Sequence, residues 1–256
     1  MQFTIEQIVY FICILVRIST FVYTAPFFSL KNIPQRVKVG LSIAIAIILF
    51  EILPYEPLVY VGVIGFASLV IKEALAGLIM GLFANICAQI LTFAGGLMDM
   101  EIGFSMVQEF DPMSATQVTI TAHFYQYAVM LIMFITNLHH YIVKALVDSF
   151  TIVPLGKVVI NVSIYEAFLE FIINYFLIGF RIVLPIFASL LIVNTVLAIL
   201  AKVAPQMNMF VIGMQLKVLV GITVLLLVAE TIPTVADFIF TEMIEMLKNA
   251  IAYLKG

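Results

Sequence analysis

Three histidines, two cysteines and a handful of charged side chains inside apolar stretches are the residues of this chain with chemistry to offer. His139 and His140 are adjacent, so on a helix they point about 100° apart and cannot both reach one metal from one face. His123 is far away in sequence, and a helix-end or packing role is expected rather than a metal site. Cys13 and Cys87 both lie inside apolar segments, where a cysteine is normally a small buried hydrophobe rather than half of a disulfide or a redox centre. The sequence contains no HExxH zinc site, no GxSxG nucleophile elbow, no GxxxxGK[ST] phosphate loop and no CxxC pair. No catalytic residue, cofactor or metal is therefore expected, and the chain is not read as an enzyme. Arg17, Glu73, Glu170 and Arg181 remain, in stretches apolar enough for a membrane, where charged groups usually pair or line a watery cavity. Brought together they would make the midplane binding site of a small-molecule transporter, which is one alternative reading.

The elements that must position these residues are those of a membrane protein. Of the 256 residues 64% are hydrophobic and 11% charged, with a mean hydropathy of +1.21. A soluble domain would need roughly 25% charged residues to solvate its surface. Twelve basic and fifteen acidic residues give a net charge of -3, which leaves no basic face for nucleic acid. Judged against the ~20 apolar residues that span a bilayer, the chain reads as all-α and polytopic, with six or seven long, partly broken hydrophobic helices arranged as hairpins. Residues 1–256 form one membrane domain, without soluble linkers or low-complexity tracts.

The first helix runs over 5–23. Its Glu6 stands where a secretory signal would carry basic residues, so it is read as a retained helix. Pro26 and Pro34 bracket a connection with Lys31, Arg36 and Lys38, and 39–53 is apolar until Pro54 and Pro57 stop it. The basic loop before the second helix places that loop in the cytoplasm and the N-terminus outside. The stretch 58–97, with Lys72 and Glu73 near its middle, is either a single tilted helix or a tight hairpin, and the hairpin suits the charge pattern better. Residues 124–138 continue through 147, 164–200 is broken by Pro185, and 209–251 carries Pro233 as a kink or turn.

Two features interrupt this apolar pattern. Glu73, Gly77, Gly81, Asn85 and Gln89 recur every four residues and form one slowly drifting stripe on a helix face, with Gly77 and Gly81 as a GxxxG pair. Packing within the chain is the first reading of the stripe and docking against another subunit the second. Residues 204–209 form a polar break with Pro205, Gln206 and Asn208, closely followed by Gly213, Met214, Gln215, Leu216 and Lys217. Each unpaired polar group there would cost several kcal/mol against lipid, so partner protein is the expected cover. Met98, Met100, Met106, Met113, Met207 and Met209 cluster at the two polar breaks, where flexible thioethers suit an adaptable contact surface.

The remaining polar segment, 98–123, holds Asp99, Glu101, Glu109 and Asp111 and neither Lys nor Arg. It opens from Ala94, Gly95, Gly96 and Leu97 through Met98, Asp99, Met100, Glu101, Ile102, Gly103, Phe104, Ser105 and Met106, then reaches Phe110, Asp111 and Pro112. These residues, with the strings 204–209 and 213–217, resemble the FliR family of flagellar biosynthetic proteins, part of the bacterial type III export gate. Arg17, Ala25, Pro26 and Phe27, then Pro34 and Arg36, and later His139, His140, Ser149, Phe150, Pro154, Leu155 and Gly156 agree in order, so the resemblance covers nearly the whole chain. One departure is Gln215, where relatives often carry proline.

The resemblance implies a fold like fused FliP-like and FliQ-like subunits, in a helical assembly with several copies of each around an export pore. It implies FliP and FliQ as partners, with FlhB and FlhA beside them, exported flagellar proteins passing through, and a place in the bacterial inner membrane at the flagellar basal body. Glu73, Gly77, Gly81, Asn85, Gln89, Pro205, Gln206, Asn208 and Lys217 become candidates for subunit contact. The loop within 98–123 becomes a candidate pore-closing element, in which Gly103 frees the backbone and Phe104, Met106, Val107 and Phe110, before Asp111 and Pro112, would form an apolar constriction that blocks ions by dewetting. Relatives in virulence injectisomes share the architecture, but the strings 205–210 and 213–217 look more like the flagellar branch.

Overall fold

The computed structural model describes residues 4–30, 33–104, 119–161 and 163–255. Eight α-helices account for nearly all of them: α1 (Ile5–Thr24), α2 (Gln35–Ile52), α3 (Gly62–Ile102), α4 (Ile120–Ile135), α5 (His139–Ile152), α6 (Ile164–Val203), α7 (Met209–Val228) and α8 (Ile232–Tyr253), with a 3-10 turn over Ala229–Thr231. Four helical stretches are long and apolar enough to cross a membrane, and α4 with α5 makes a fifth if the pair counts as one broken span. The protein is thus an all-α polytopic membrane protein.

Local chemistry explains the boundaries. Thr4 and Gln7 close a capping box at the start of α1, satisfying two of the donors that a helix start leaves open. Pro34 precedes α2 and Leu53 ends it ahead of Pro54. The stretch around Lys72 and Glu73 is one 41-residue helix, α3, and not a hairpin. Neither glycine nor proline occurs between Gly65 and Gly77, and the Glu73 carboxylate is matched by a partner from α1 instead of needing water. Pro185 likewise leaves α6 unbroken. It removes one ladder bond, to the Arg181 carbonyl, and the Ser189 hydroxyl donates to the Pro185 carbonyl at 2.7 Å. Pro233 does coincide with a break, since the 3-10 turn ends two residues before it and a proline is tolerated in a helix's first turn.

The chain divides into two compact units. The first comprises Met1–Ala88, Asn137–Phe171 and Phe240–Gly256. Its core is α1, which buries Tyr10, Cys13, Ile14, Arg17, Ile18 and Phe21 against α2, α3 and α5. The C-terminal residues are tied in by an antiparallel bridge between Val158 and Lys255, where the Val159 N–H donates to the Leu254 carbonyl at 3.1 Å.

The second unit comprises Gln89–Thr136 and Ile172–Ile239. Here Phe93 of α3 meets Tyr175, Phe176 and Phe180 of α6 at ring separations of 5.2 to 5.8 Å, and Gly179 makes room for it: a Cβ there would lie 2.5 Å from the Phe93 ring. The outer helices are sparsely covered, with only 28% of the most apolar stretch of α6 and 11% of that of Met209–Tyr253 buried within the chain. So much exposed apolar surface belongs against lipid or other membrane protein.

Candidate functional site

The first unit encloses one charged pair entirely in protein. The Arg17 Nε donates to Glu73 Oε2 at 2.6 Å, with both side chains no more than 1% exposed. Arg17 Nη1 donates to the Ser149 and Val153 carbonyls at 3.2 and 2.9 Å, the latter just beyond the end of α5. The Ser149 carbonyl also accepts the Val153 N–H at 2.9 Å, and the Val153 carbonyl lies just past the last helical residue; a cation is favoured at such a helix C-terminus. The guanidinium also lies over the Phe150 ring, 4.5 Å from its centroid. Glu73 Oε1 accepts from the Gly156 N–H at 2.9 Å. One ion pair therefore fastens α1, α3 and the α5–α6 connection. Gly156 has φ +78, a left-handed backbone that glycine adopts without strain.

The small-residue stripe serves the same joint. A Cβ on Gly77 would stand 2.2 Å from both the Arg17 carbonyl oxygen and the Thr20 Oγ1, and one on Gly81 1.9 Å from Thr24 Oγ1. The Asn85 Nδ2 donates to the Thr24 carbonyl at 2.8 Å. The face that carries Glu73, Gly77, Gly81 and Asn85 thus packs against the chain's own α1. Gln89 belongs to the second unit, where its carbonyl accepts from the Tyr175 hydroxyl at 3.2 Å. Glu170 is exposed and Arg181 lies in the second unit; neither takes part in the Arg17–Glu73 pair.

In the second unit a buried carboxylate joins the end of α3 to the start of α4. Asp99, 1% exposed near the end of α3, accepts from the Thr121 N–H at 3.1 Å and from the Thr121 hydroxyl. It supplies from another helix the N-terminal cap that Thr119 does not give α4. One turn earlier Gly95 meets Ala122, whose Cα would lie 2.3 Å from an added Cβ. The two ends of the segment that connects α3 to α4 are therefore clamped together. Sequence reasoning treated Asp99 only as an acidic loop residue and missed Thr121. The available signal was the spacing of four between Gly95 and Asp99, which puts both on one face of a helix.

Gly103 follows α3 with φ +97 and nothing within 4 Å of its would-be Cβ, and its N–H donates to the Asp99 carbonyl at 3.0 Å. It is a glycine helix stop. Phe104 comes next, half-buried. Met106, Val107, Phe110, Asp111 and Pro112 lie outside the described residues.

Two of the predicted strings meet at a cavity of 260 Å3 in this unit, lined by Glu101 and Gly103 from the α3 end, Asn194 from α6, and Met209, Gly213 and Lys217 from α7. Lys217 makes no ion pair among the described residues. Pro205, Gln206 and Asn208 form an exposed turn beside it in sequence, and the Asn208 side chain caps α7 by accepting from the Val211 N–H at 3.4 Å.

His139 and His140 stand closer than their helical spacing predicts, with ring centroids 4.2 Å apart. They sit in the first turn of α5, beside Asn137 at φ 57, where the chain has only just entered the helix. No group of three His, Cys, Asp or Glu side chains with metal-ligand spacing occurs among the described residues. Cys13 and Cys87 are buried free thiols.

Taken together, these are the features of a multi-helix membrane protein whose polar residues join its own helices, while wide apolar faces stay open. The family model described as "Bacterial export proteins, family 1" matches residues 8–243, and the chain belongs to that family. It is similar to the flagellar biosynthetic protein FliR of Bacillus subtilis (strain 168), 30% identical over 246 residues that cover 94% of each chain. It is equally 30% identical to FliR of Escherichia coli (strain K12), over 94% of this chain and 92% of that one, and to FliR of Pectobacterium carotovorum over the same shares.

Proposed function

We propose that this chain is a subunit of the flagellar type III protein export gate, which assembles with FliP and FliQ in the bacterial inner membrane, at the flagellar basal body, into the conduit for exported flagellar proteins. FlhB and FlhA are its further neighbours in this reading. Family membership supports the export role, and the names of the relatives support the flagellar branch. The single structural observation that carries the gate reading is the clamp of Asp99 on Thr121, because it brings both ends of the loop between α3 and α4 to one place on the second unit. A loop held in this way can be presented to a pore as a plug without unfolding the helices behind it. The cavity with Glu101 and Lys217 lies at the foot of that loop, and the exposed turn with Pro205, Gln206 and Asn208 offers polar groups to a neighbouring subunit.

Co-expression with FliP and FliQ, purification in mild detergent and native mass spectrometry test the assembly. A discrete complex with one copy of this chain is expected, whereas a stable monomer or homo-oligomer indifferent to both partners would turn the reading to an autonomous transporter. The gating part has its own test: shortening the loop after Phe104 should raise the permeability of the membrane to ions or small solutes. An unchanged leak in an assembled, export-competent complex would remove that role.

A further inference from the structure

The second unit contains a cationic groove that the export reading does not use. Arg181 lies well inside α6 and lines an open cavity of 330 Å3 together with Tyr125 of α4, Pro185 and the Thr231 and Thr234 side chains at the α7–α8 break. Among the described residues Arg181 has no hydrogen bond, ion pair or ring contact. The Tyr125 and Thr234 hydroxyls have no described hydrogen-bond partner either, while Thr231 donates to the Val228 carbonyl at 2.7 Å. A fork of guanidinium N–H groups and two hydroxyl donors thus share one recess, with no carboxylate lining it. A planar guanidinium matches the oxygens of a phosphate or carboxylate.

Depth decides which anion. The helices α6 and α7 are antiparallel neighbours, since Gly213 packs against Leu197 near their turn and Val228 shares the groove with Pro185 at the other end. Between Arg181 and Lys202 the sequence of α6 has no charged residue, and α7 is 20 residues long with Lys217 as its one charge. At 1.5 Å per residue each stretch is about 30 Å, the thickness of a hydrocarbon core. A bilayer that covers this hairpin places Arg181 and the break at Thr231 at headgroup level, where lipid phosphates lie, and not at the mid-depth where a partner helix would bury a carboxylate. Leu184 and Leu191 on α6 and Leu226 and Leu227 on α7, all more than half exposed, supply the apolar track that acyl chains need.

We infer that this groove binds the phosphate of an anionic phospholipid, held by Arg181 and by the Tyr125 and Thr234 hydroxyls. The inference stands on the second unit alone and does not depend on the export role. To test it, the full chain, with any subunits that co-purify, is placed in nanodiscs of phosphatidylcholine with a minor share of phosphatidylglycerol, released, and its retained lipids are counted by native mass spectrometry. One arginine near a lipid surface corresponds to a preference for phosphatidylglycerol of about fivefold, which Arg181→Gln should abolish and Arg181→Lys should largely keep. Equal retention by the wild type and Arg181→Gln would overturn the inference. So would a gain in thermal stability from inorganic phosphate as large as that from phosphatidylglycerol, because the ligand would then be a free anion. If Arg181→Gln does not give a monodisperse protein, Tyr125→Phe with Thr234→Val takes its place, and an unchanged preference in that variant is the overturning result.

Discussion

Arg17 and Glu73 meet at 2.6 Å with both side chains buried, and each makes a further hydrogen bond to backbone from the end of α5 or the turn after it, while Arg17 Nη2 has no partner among the described residues. The pair is therefore a three-way joint rather than a bond between two helices. Removing one member leaves the other as a buried, unmatched charge, and the usual cost is about 3–5 kcal/mol. Arg17→Ala and Glu73→Ala should both lower the thermal unfolding temperature of the detergent-solubilised protein sharply. Replacing both at once, Arg17→Met with Glu73→Leu, should recover most of the loss, because apolar residues of similar volume often substitute for a buried pair without penalty. Single variants as stable as the wild type would show that the joint does not hold the unit together.

Gly77 tests how closely α3 and α1 approach. An added methyl group would meet the Arg17 carbonyl and Thr20 at 2.2 Å, and backbone cannot swing aside as a side chain can. Gly77→Ala should cost about 1–3 kcal/mol by overpacking. Gly40 in α2 is the control, since nothing lies within 4 Å of its would-be Cβ. Gly40→Ala should stabilise by about 0.5–1 kcal/mol, because alanine loses less backbone entropy in a helix. Thermal unfolding of the two variants side by side separates the effects, and equal shifts would refute the contact.

Asp99 is a cap supplied from another helix, so its loss should be felt locally. Asp99→Ala removes the acceptor for the Thr121 N–H and hydroxyl, a change worth about 1–2 kcal/mol at a helix start. Hydrogen exchange should quicken by about tenfold across the first turn of α4 while the Arg17 joint in the first unit stays protected. Uniform loss of protection in both units would mean that Asp99 supports the whole fold.

Much of the scaffold could be read from residue types, and the exceptions share a cause. The helices up to Leu53, the turn just before Pro233 and the stripe from Glu73 to Asn85 follow from periodicity, prolines and glycine spacing, which act over one or two turns. The burial of Glu73 inside α3 depends on Arg17, 56 residues away, and hydropathy alone gives Glu73 no reason to be buried beside an exposed Lys72. The same holds for the loop clamp, because the match between Asp99 and Thr121 is chemical only once the fold brings α3 and α4 together. The positions named for a pore constriction fall largely outside the described residues, apart from Gly103 and Phe104.

Gly103 gives the clearest link from backbone to proposed gating. Its φ of +97 is open to glycine and strained for other residues, and no described residue lies within 4 Å of its would-be Cβ, so among the described residues the cost of substitution comes from the backbone. Gly103→Ala should cost about 1–2 kcal/mol, which the chain can avoid by letting α3 run on past residue 103. That escape would re-aim the loop away from its clamped start. Gly103→Ala should therefore raise ion leak in cells that carry the assembled complex while lowering the unfolding temperature only slightly. Gly103→Asn should do less of both, since asparagine tolerates positive φ better than alanine. A leak unchanged in Gly103→Ala, with the unfolding temperature lowered as expected, would separate the helix stop from the gate and leave it a structural feature only.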